Sequence, residues 1–354
     1  MTEKLLSKYK TYTKKRLCFI LCVFAALFLI AFFSLLSGSI NIDLDDLYNL
    51  FTGNADRTVW QVILNIRLPR ILGAILSGVA LSVSGAVIQS LLRNPLASPF
   101  TLGISGAAAF GAAFAIVVLG AGSSYANSND LASITNPYLV TGSAFLCSLA
   151  SVFIILLLSN YRGATPEMII LSGIIISSLF GAGISALQYF SDNIQLASII
   201  FWTFGDLGRA SWRDLLIQIV IIIPALLYFI WKSWSYKSLQ AGDEYAKSIG
   251  VDPVKTRLAG MVTASLLTAI VVSFYGIIAF VGLVVPHIVR KITGSDELFL
   301  IPASALFGGV FLLISDTLAR TVISPIILPV GILTSFLGAP LFLFLLIKTV
   351  RKKY

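Results

Sequence analysis

The chain has 354 residues, of which 57% are hydrophobic and only 12% charged, a balance that excludes a water-soluble domain of this length. Apolar stretches of about 18 residues or more recur along it, so lipid covers most of the surface. The formal charge of +9 does not mark a nucleic-acid groove, because Lys and Arg gather at the ends of apolar stretches, as in cytoplasmic loops.

Six basic residues from Lys4 to Arg16 precede the first apolar run, 17–36. At about twenty residues the run is longer than a signal-peptide core and predicts a retained span. Cys18, Cys22 and Cys147 lie in apolar stretches without metal-site spacing and read as small buried hydrophobes. Further runs predict spans over 71–92, 100–120, 138–159, 168–190, 214–231, 298–315 and 326–347. From Arg257 to Val289 no acidic group interrupts a stretch too long for one span. Splitting it near Gly276 gives two, the second short and holding Gly282 and Pro286, as suits a segment buried among other helices.

Ten spans place the basic N-terminus and the tail Lys348, Arg351, Lys352 and Lys353 on one side, the cytoplasmic one. In that topology 19 of the 25 basic residues are inside, Arg162 and every lysine among them. Arg57, Arg67, Arg70, Arg209, Arg213 and Arg320 fall outside, as does the loop Ser123–Asn136. No Asp, Glu, Lys or Arg sits mid-membrane; Glu167, Asp214, Arg257 and Asp316 are at span ends. The pathway is therefore expected to be uncharged, with the energy supplied elsewhere.

Four stretches outside the spans stand out. Arg67-Leu-Pro-Arg70 opens the second span from outside; at i, i+3 on a helix begun by Pro69, the guanidiniums can hold an acidic partner or snorkel to headgroups. Arg93-Asn-Pro-Leu-Ala-Ser-Pro99 is a cytoplasmic turn in which Asn94 and Leu96 either close the mouth of a pore or simply make a tight turn. The loop from Lys232 to Lys255 predicts a helix over 238–249 capped by Gly250. Ala241, Tyr245, Ser248 and Ile249 project from one side, with Asp243, Glu244 and Lys247 on others, which favours a protein groove over lipid. The segment from Gly276 to Arg290 holds the only histidine, His287; lacking partners at ligand spacing, it reads as a packing or capping residue and no metal site is expected.

The runs RLPRILGAILSGVALSVSGAVIQSLLRNPLASP, SLQAGDEYAKSIGVDP, FVGLVVPHIVR and SDTLARTVISPIILPVGILTSFLGAPLF resemble the FecCD-type permeases, which import iron siderophores, haem and cobalamin. The resemblance covers nearly the whole chain in order and spacing. It implies an all-α polytopic membrane protein with ten transmembrane helices and the type II ABC importer permease architecture. Residues 1–354 would be one permease domain with a cytoplasmic coupling loop at 232–256. The implied partners are a second permease subunit, identical or homologous, two cytosolic ATPase subunits that bind ATP and Mg, and an extracytoplasmic substrate-binding protein. The setting is a prokaryotic cytoplasmic membrane with both termini inside.

The resemblance also assigns residues. Arg67, Arg70 and Arg320 are expected to receive acidic groups of the binding protein. Asn94 and Leu96 are expected at the cytoplasmic gate with Thr165; the cobalamin permease has a Ser/Thr pair there, whereas this chain reads Thr165-Pro166-Glu167. Gly242, Asp243, Glu244, Ala246, Lys247 and Gly250 are expected to couple to the ATPase, small residues letting it approach closely. The expected cargo is a metal chelate, an iron(III)-siderophore, with a corrinoid or haem as the alternative. A different class, the ion-coupled carrier, is disfavoured by the lack of mid-membrane carboxylates, although sodium sites built from backbone carbonyls leave it open. No catalytic residues and no cofactor in this chain are expected, since it has no GxxxxGK[ST] and no paired intramembrane Asp.

Overall fold

A computed structural model describes residues 2–38, 42–52, 56–122, 134, 136–160 and 165–350. Most of the loop 123–136, together with Arg162, Arg351, Lys352 and Lys353, lies outside the described residues. The helices in chain order are α1 (Thr2–Leu36), α2 (Leu44–Thr52), α3 (Arg57–Gln61), α4 (Leu68–Leu91), α5 (Ile104–Val117), α6 (Pro137–Asn160), α7 (Pro166–Phe190) and α8 (Asn193–Thr203). They continue as α9 (Trp212–Trp231), α10 (Ser233–Gln240), α11 (Asp243–Ser248), α12 (Pro253–Tyr275), α13 (Val281–Thr293), α14 (Glu297–Thr321) and α15 (Val330–Val350).

Among the described residues seven helices are long and apolar enough to cross a membrane, and the shorter or less apolar α5, α13 and α15 bring the number to the ten expected. The second span is longer than its apolar run: α3 and α4 are joined without a break by a π-helical stretch, Val62–Arg67. The third is shorter than expected. Pro95 and Pro99 hold the chain in turns up to Gly103, whose φ of 78° starts α5, and only 14 residues are helical. The helix α8 was not anticipated, although Asp192 and Gln195 form a capping box that opens it.

Small residues decide which helices are central. A Cβ on Gly78 would lie 2.2 Å from the Gly308 carbonyl oxygen of α14, and one on Gly85 only 1.8 Å from that of Gly282 on α13. In lipid no hydrophobic drive brings helices together, so such close backbone approach supplies the packing. The helix α4 is accordingly almost enclosed, with α14, α12 and α13 around it, whereas α1 and α7 are largely uncovered. Cys18 and Cys22, expected to be buried, lie exposed on α1 for that reason.

The two ends of the bundle differ. At the lower end Asp296, which caps α14, accepts from Arg16 of α1 and Lys237 of α10, and Lys291 of α13 reaches the Leu345 carbonyl of α15. At the upper end lie Arg67, Arg70, Asp206 and Arg320. Arg70 and Gln89, which accepts from Arg290 at the lower end, are nineteen positions apart on α4 and so ~30 Å apart along it.

Candidate functional site

The break between α12 and α13 builds the first part of the site. Gly276 adopts φ 78° and a Cβ there would lie 2.2 Å from the Trp202 carbonyl, so the unwound backbone must pass close to α8. Phe280, at φ 66°, is a bulky residue in left-handed backbone, and its side chain lies against Gly338 of α15. Non-helical backbone at this depth is tolerated where it lines a cavity. A cavity of about 260 Å³ is indeed bounded by Ile278, Ala279 and Phe280, by Leu81, Leu283 and Phe100, and by Ser98, Thr101, Ser105, Thr268 and Ser335. None of its lining side chains is charged. A larger cavity, about 460 Å³, lies at the upper end beside Tyr138, Arg209 and Asp214. It is lined by Phe274 of α12 but by none of the unwound residues 276–280 nor by the turn after α4, and the smaller one is the better candidate pathway.

The second half of the turn 93–103, Ser98 to Thr101, forms the floor of that cavity. Asn94 Oδ1 accepts from the Leu96 amide at 2.9 Å, while Ser98 and Thr101 exchange backbone and hydroxyl hydrogen bonds. The Asn94 side chain is thus occupied in shaping the turn, and Leu96 is the exposed apolar residue it presents. Thr165 is the N-cap of α7, its hydroxyl accepting from the Met168 amide. Partial burial, and then Arg257, push the Arg93 guanidinium below its ordinary pKa, and Glu167 in the first turn of α7 opposes this.

The loop helix is two helices. Gly242 adopts φ 125°, where the chain turns between α10 and α11, so the expected continuous helix over 238–249 is interrupted. Glu244, Tyr245, Lys247, Ser248, Ile249 and Gly250 are exposed, and Gly250, at φ 84°, ends α11. Ala246 is fully buried against the subunit itself. Within the subunit its small size serves internal packing.

The upper arginines, expected to receive acidic groups of a partner, are already paired within the subunit. Arg67, Arg70 and Arg320 are 4%, 6% and 5% exposed. Arg70 Nε donates to Asp316 Oδ1 at 2.9 Å and Arg320 Nε to Asp316 Oδ2 at 3.1 Å. Arg67 donates to the Leu35 and Leu36 carbonyls, and Arg320 to Ser34 and Ser37. Spacing along one helix does not reveal that an acid on another, and the uncapped end of α1, already supply acceptors. A buried charge demands such partners.

Two residues were missed. Glu297 is fully buried at the start of α14, accepting from Ser90 Oγ of α4 and Gln240 Nε2 of α10, both at 2.5 Å. Arg257, 1% exposed, donates to the Leu91 carbonyl and to Asp243. Each stands at a helix start where a sequence normally places a solvated charge, so no local signal announces its burial. His287 sits edge-on to Phe342 of α15.

Comparison with known proteins places these features. A profile of the FecCD transport family matches residues 26–348. An ABC transporter permease of Methanocaldococcus jannaschii, whose name carries no substrate, is 54% identical over 98% of each chain. The hemin transport system permease HmuU of Yersinia pestis is 39% identical over 88% of this chain and 90% of its own. The vitamin B12 import system permease BtuC of Vibrio vulnificus is 35% identical over 82% and 83%. A solved chain described as a metal-chelate type ABC transporter in an inward-facing conformation superposes with a TM-score of 0.82 at 32% identity, covering 93% of this chain and 98% of that one.

Proposed function

Because the chain belongs to the FecCD transport family, we propose that it imports an iron(III)-siderophore, as the permease subunit of an ATP-driven importer for metal chelates. The observation that carries the chelate reading is the uncharged cavity, lined by aliphatic, aromatic and Ser/Thr residues, beside residues 98–101. A carrier that binds a bare cation needs carboxylates or converging carbonyls, whereas a ligand-wrapped metal presents an organic surface that hydroxyls and aromatic rings can pass without gripping. Haem and vitamin B12, which the names of two relatives specify, are chelates of the same kind and form the second reading.

In this reading the lower end faces the cytosol, as the concentration of lysines there requires. ATP and Mg bind to a separate ATPase pair, which docks on the exposed residues of α11 and the turn after it, Glu244, Tyr245, Lys247 and Gly250 among them. A second permease subunit supplies the opposite wall of the pathway, and Asn94, Leu96 and Thr165 form the cytoplasmic gate. Arg67, Arg70 and Arg320 attract the binding protein by the excess of three guanidiniums over Asp206 and Asp316, whose field reaches the outer face while the internal pairs stay closed.

The test is uptake into proteoliposomes holding the chain with its ATPase and binding-protein neighbours. ATP-dependent accumulation of an iron(III)-siderophore, with none of cobalamin or haem, is expected. Uptake of cobalamin or haem alone would move the cargo to the second reading, and ion-driven uptake by the chain alone would refute the importer assignment. For docking, acidic residues of the binding protein are reversed to Arg, since reversing the permease arginines would also break their internal network. Unchanged association in low salt would remove the docking role.

A further inference from the structure

The helix α11 and the turn below the cavity are joined through one carboxylate. Asp243, the first residue of α11, accepts from Arg257 Nη2 at 3.0 Å through Oδ1 and 3.2 Å through Oδ2, and also pairs with Arg93. Arg257 cannot move far. It is 1% exposed, and its Nε holds the carbonyl of Leu91, the last residue of α4, at 3.2 Å. Arg93 is different: its side chain is 36% exposed, and its φ of 47° is a conformation that L side chains rarely adopt, so the backbone there has a more populated region to move to. Arg93 leads directly into the turn whose Ser98–Thr101 hydrogen bonds form the floor of the cavity. Glu167 of α7 lies within electrostatic reach of both guanidiniums, so the element holding Thr165 feels the same cluster.

We infer that Asp243 is the tether through which displacement of α11 reaches the gate turn, with Arg257 as its fixed anchor and Arg93 as its movable one. These three are positioning residues. Two features make the tether suited to transmission: Gly242 lets α11 tilt without dragging α10, and the burial of Ala246 makes α11 pivot on the body of the subunit. When α11 tilts, Asp243 carries the Arg93 side chain with it, and the stiff turn passes the shift to Leu96 and to the cavity floor. The inference rests on the permease reading above, and its test separates the two.

A Leu96→Cys probe is placed in a chain with Cys18, Cys22 and Cys147 replaced by Ala, in the full complex in proteoliposomes. Labelling by an impermeant maleimide from the ATPase side is timed without nucleotide and with ATP plus vanadate. The nucleotide-dependent change in rate seen with Arg93 and Asp243 intact should fall to within twofold of none in Arg93→Gln and in Asp243→Asn, while Arg93→Lys keeps most of it. ATP consumed per chelate imported should rise at least tenfold in the first two. A normal nucleotide response in Arg93→Gln overturns the tether and leaves the permease reading standing. Loss of ATPase co-purification in Asp243→Asn also overturns it, since the carboxylate would then act in docking. No nucleotide response in the parent complex removes the permease reading, and the tether with it.

Discussion

Asp316 at the upper end is wholly buried and the guanidiniums of Arg70 and Arg320 beside it are enclosed, whereas at the lower end the side chains of Asp243 and Arg93 are 41% and 36% exposed. Both are one carboxylate between two arginines. The upper acid joins the bodies of α4 and α14, and Arg320 extends the network to α1. The lower one joins a six-residue helix to a turn, with only Arg257 buried. Inside a bundle an ion pair cannot open without leaving a charge in a poorly solvating medium, so it acts as a strut. Water can take over either side of a half-exposed pair at small cost, so the same chemistry can change during a cycle.

The sharpest way to break this comparison is to remove each carboxylate. Asp316→Ala should cost about 3–5 kcal/mol, because two buried arginines lose their counter-charge, and folded protein should largely disappear from detergent extracts. Asp243→Ala should cost under about 2 kcal/mol, with only Arg257 left buried and able to keep its Leu91 carbonyl. Equal losses in thermal melts of the two variants would abolish the distinction between strut and tether.

Both networks hang on α4, so that helix must be rigidly placed between them. Gly85→Val would put a methine carbon within 1.8 Å of the Gly282 carbonyl, and neither backbone can withdraw. The expected loss is about 3 kcal/mol or more, seen as a lowered melting temperature and protease-sensitive α13. Gly142→Val, where a Cβ meets nothing within 4 Å, is the control and should melt normally.

A smaller effect sharpens the lower half. Ala246→Trp should destabilise by about 1–3 kcal/mol through overpacking inside the subunit, and should speed proteolysis between α10 and α12 before any ATPase is added. Unaltered proteolysis of the isolated permease, with ATPase association lost, would return Ala246 to the partner surface. Smallest of all is Lys255→Ala. Its pair with Asp252 is 3.8 Å long with the Lys255 side chain 87% exposed, so neither melting nor uptake should change.

Read without coordinates, the chain already discloses its broad architecture, since span length, the lysine bias and the break at Gly276 are local or summed properties of the sequence. It also discloses the turn at Asn94–Leu96 and the loop helices, because proline, glycine and helix-forming residues act over a few positions. What it does not disclose is which charges meet. Arg67 and Arg70 look available because nothing within several residues opposes them; their acceptors come from Asp316, 246 positions away from Arg70, and from the end of α1. Ala246 looks like a contact for a partner because a small residue on a short helix has the same sequence signature whether it faces in or out.

Sequence alone determined that the backbone forms membrane-spanning helices with their charges at the span ends, because hydropathy and helix length answer to the solvent and need no neighbour. Only the tertiary structure decided that the outer arginines are paired inside the bundle, that Glu297 and Arg257 are buried, and that Asp243 of α11 meets Arg93 and Arg257. A charge is stable in such a place only through partners brought there by the packing of distant segments, and the pairing of distant segments is what a local pattern does not contain.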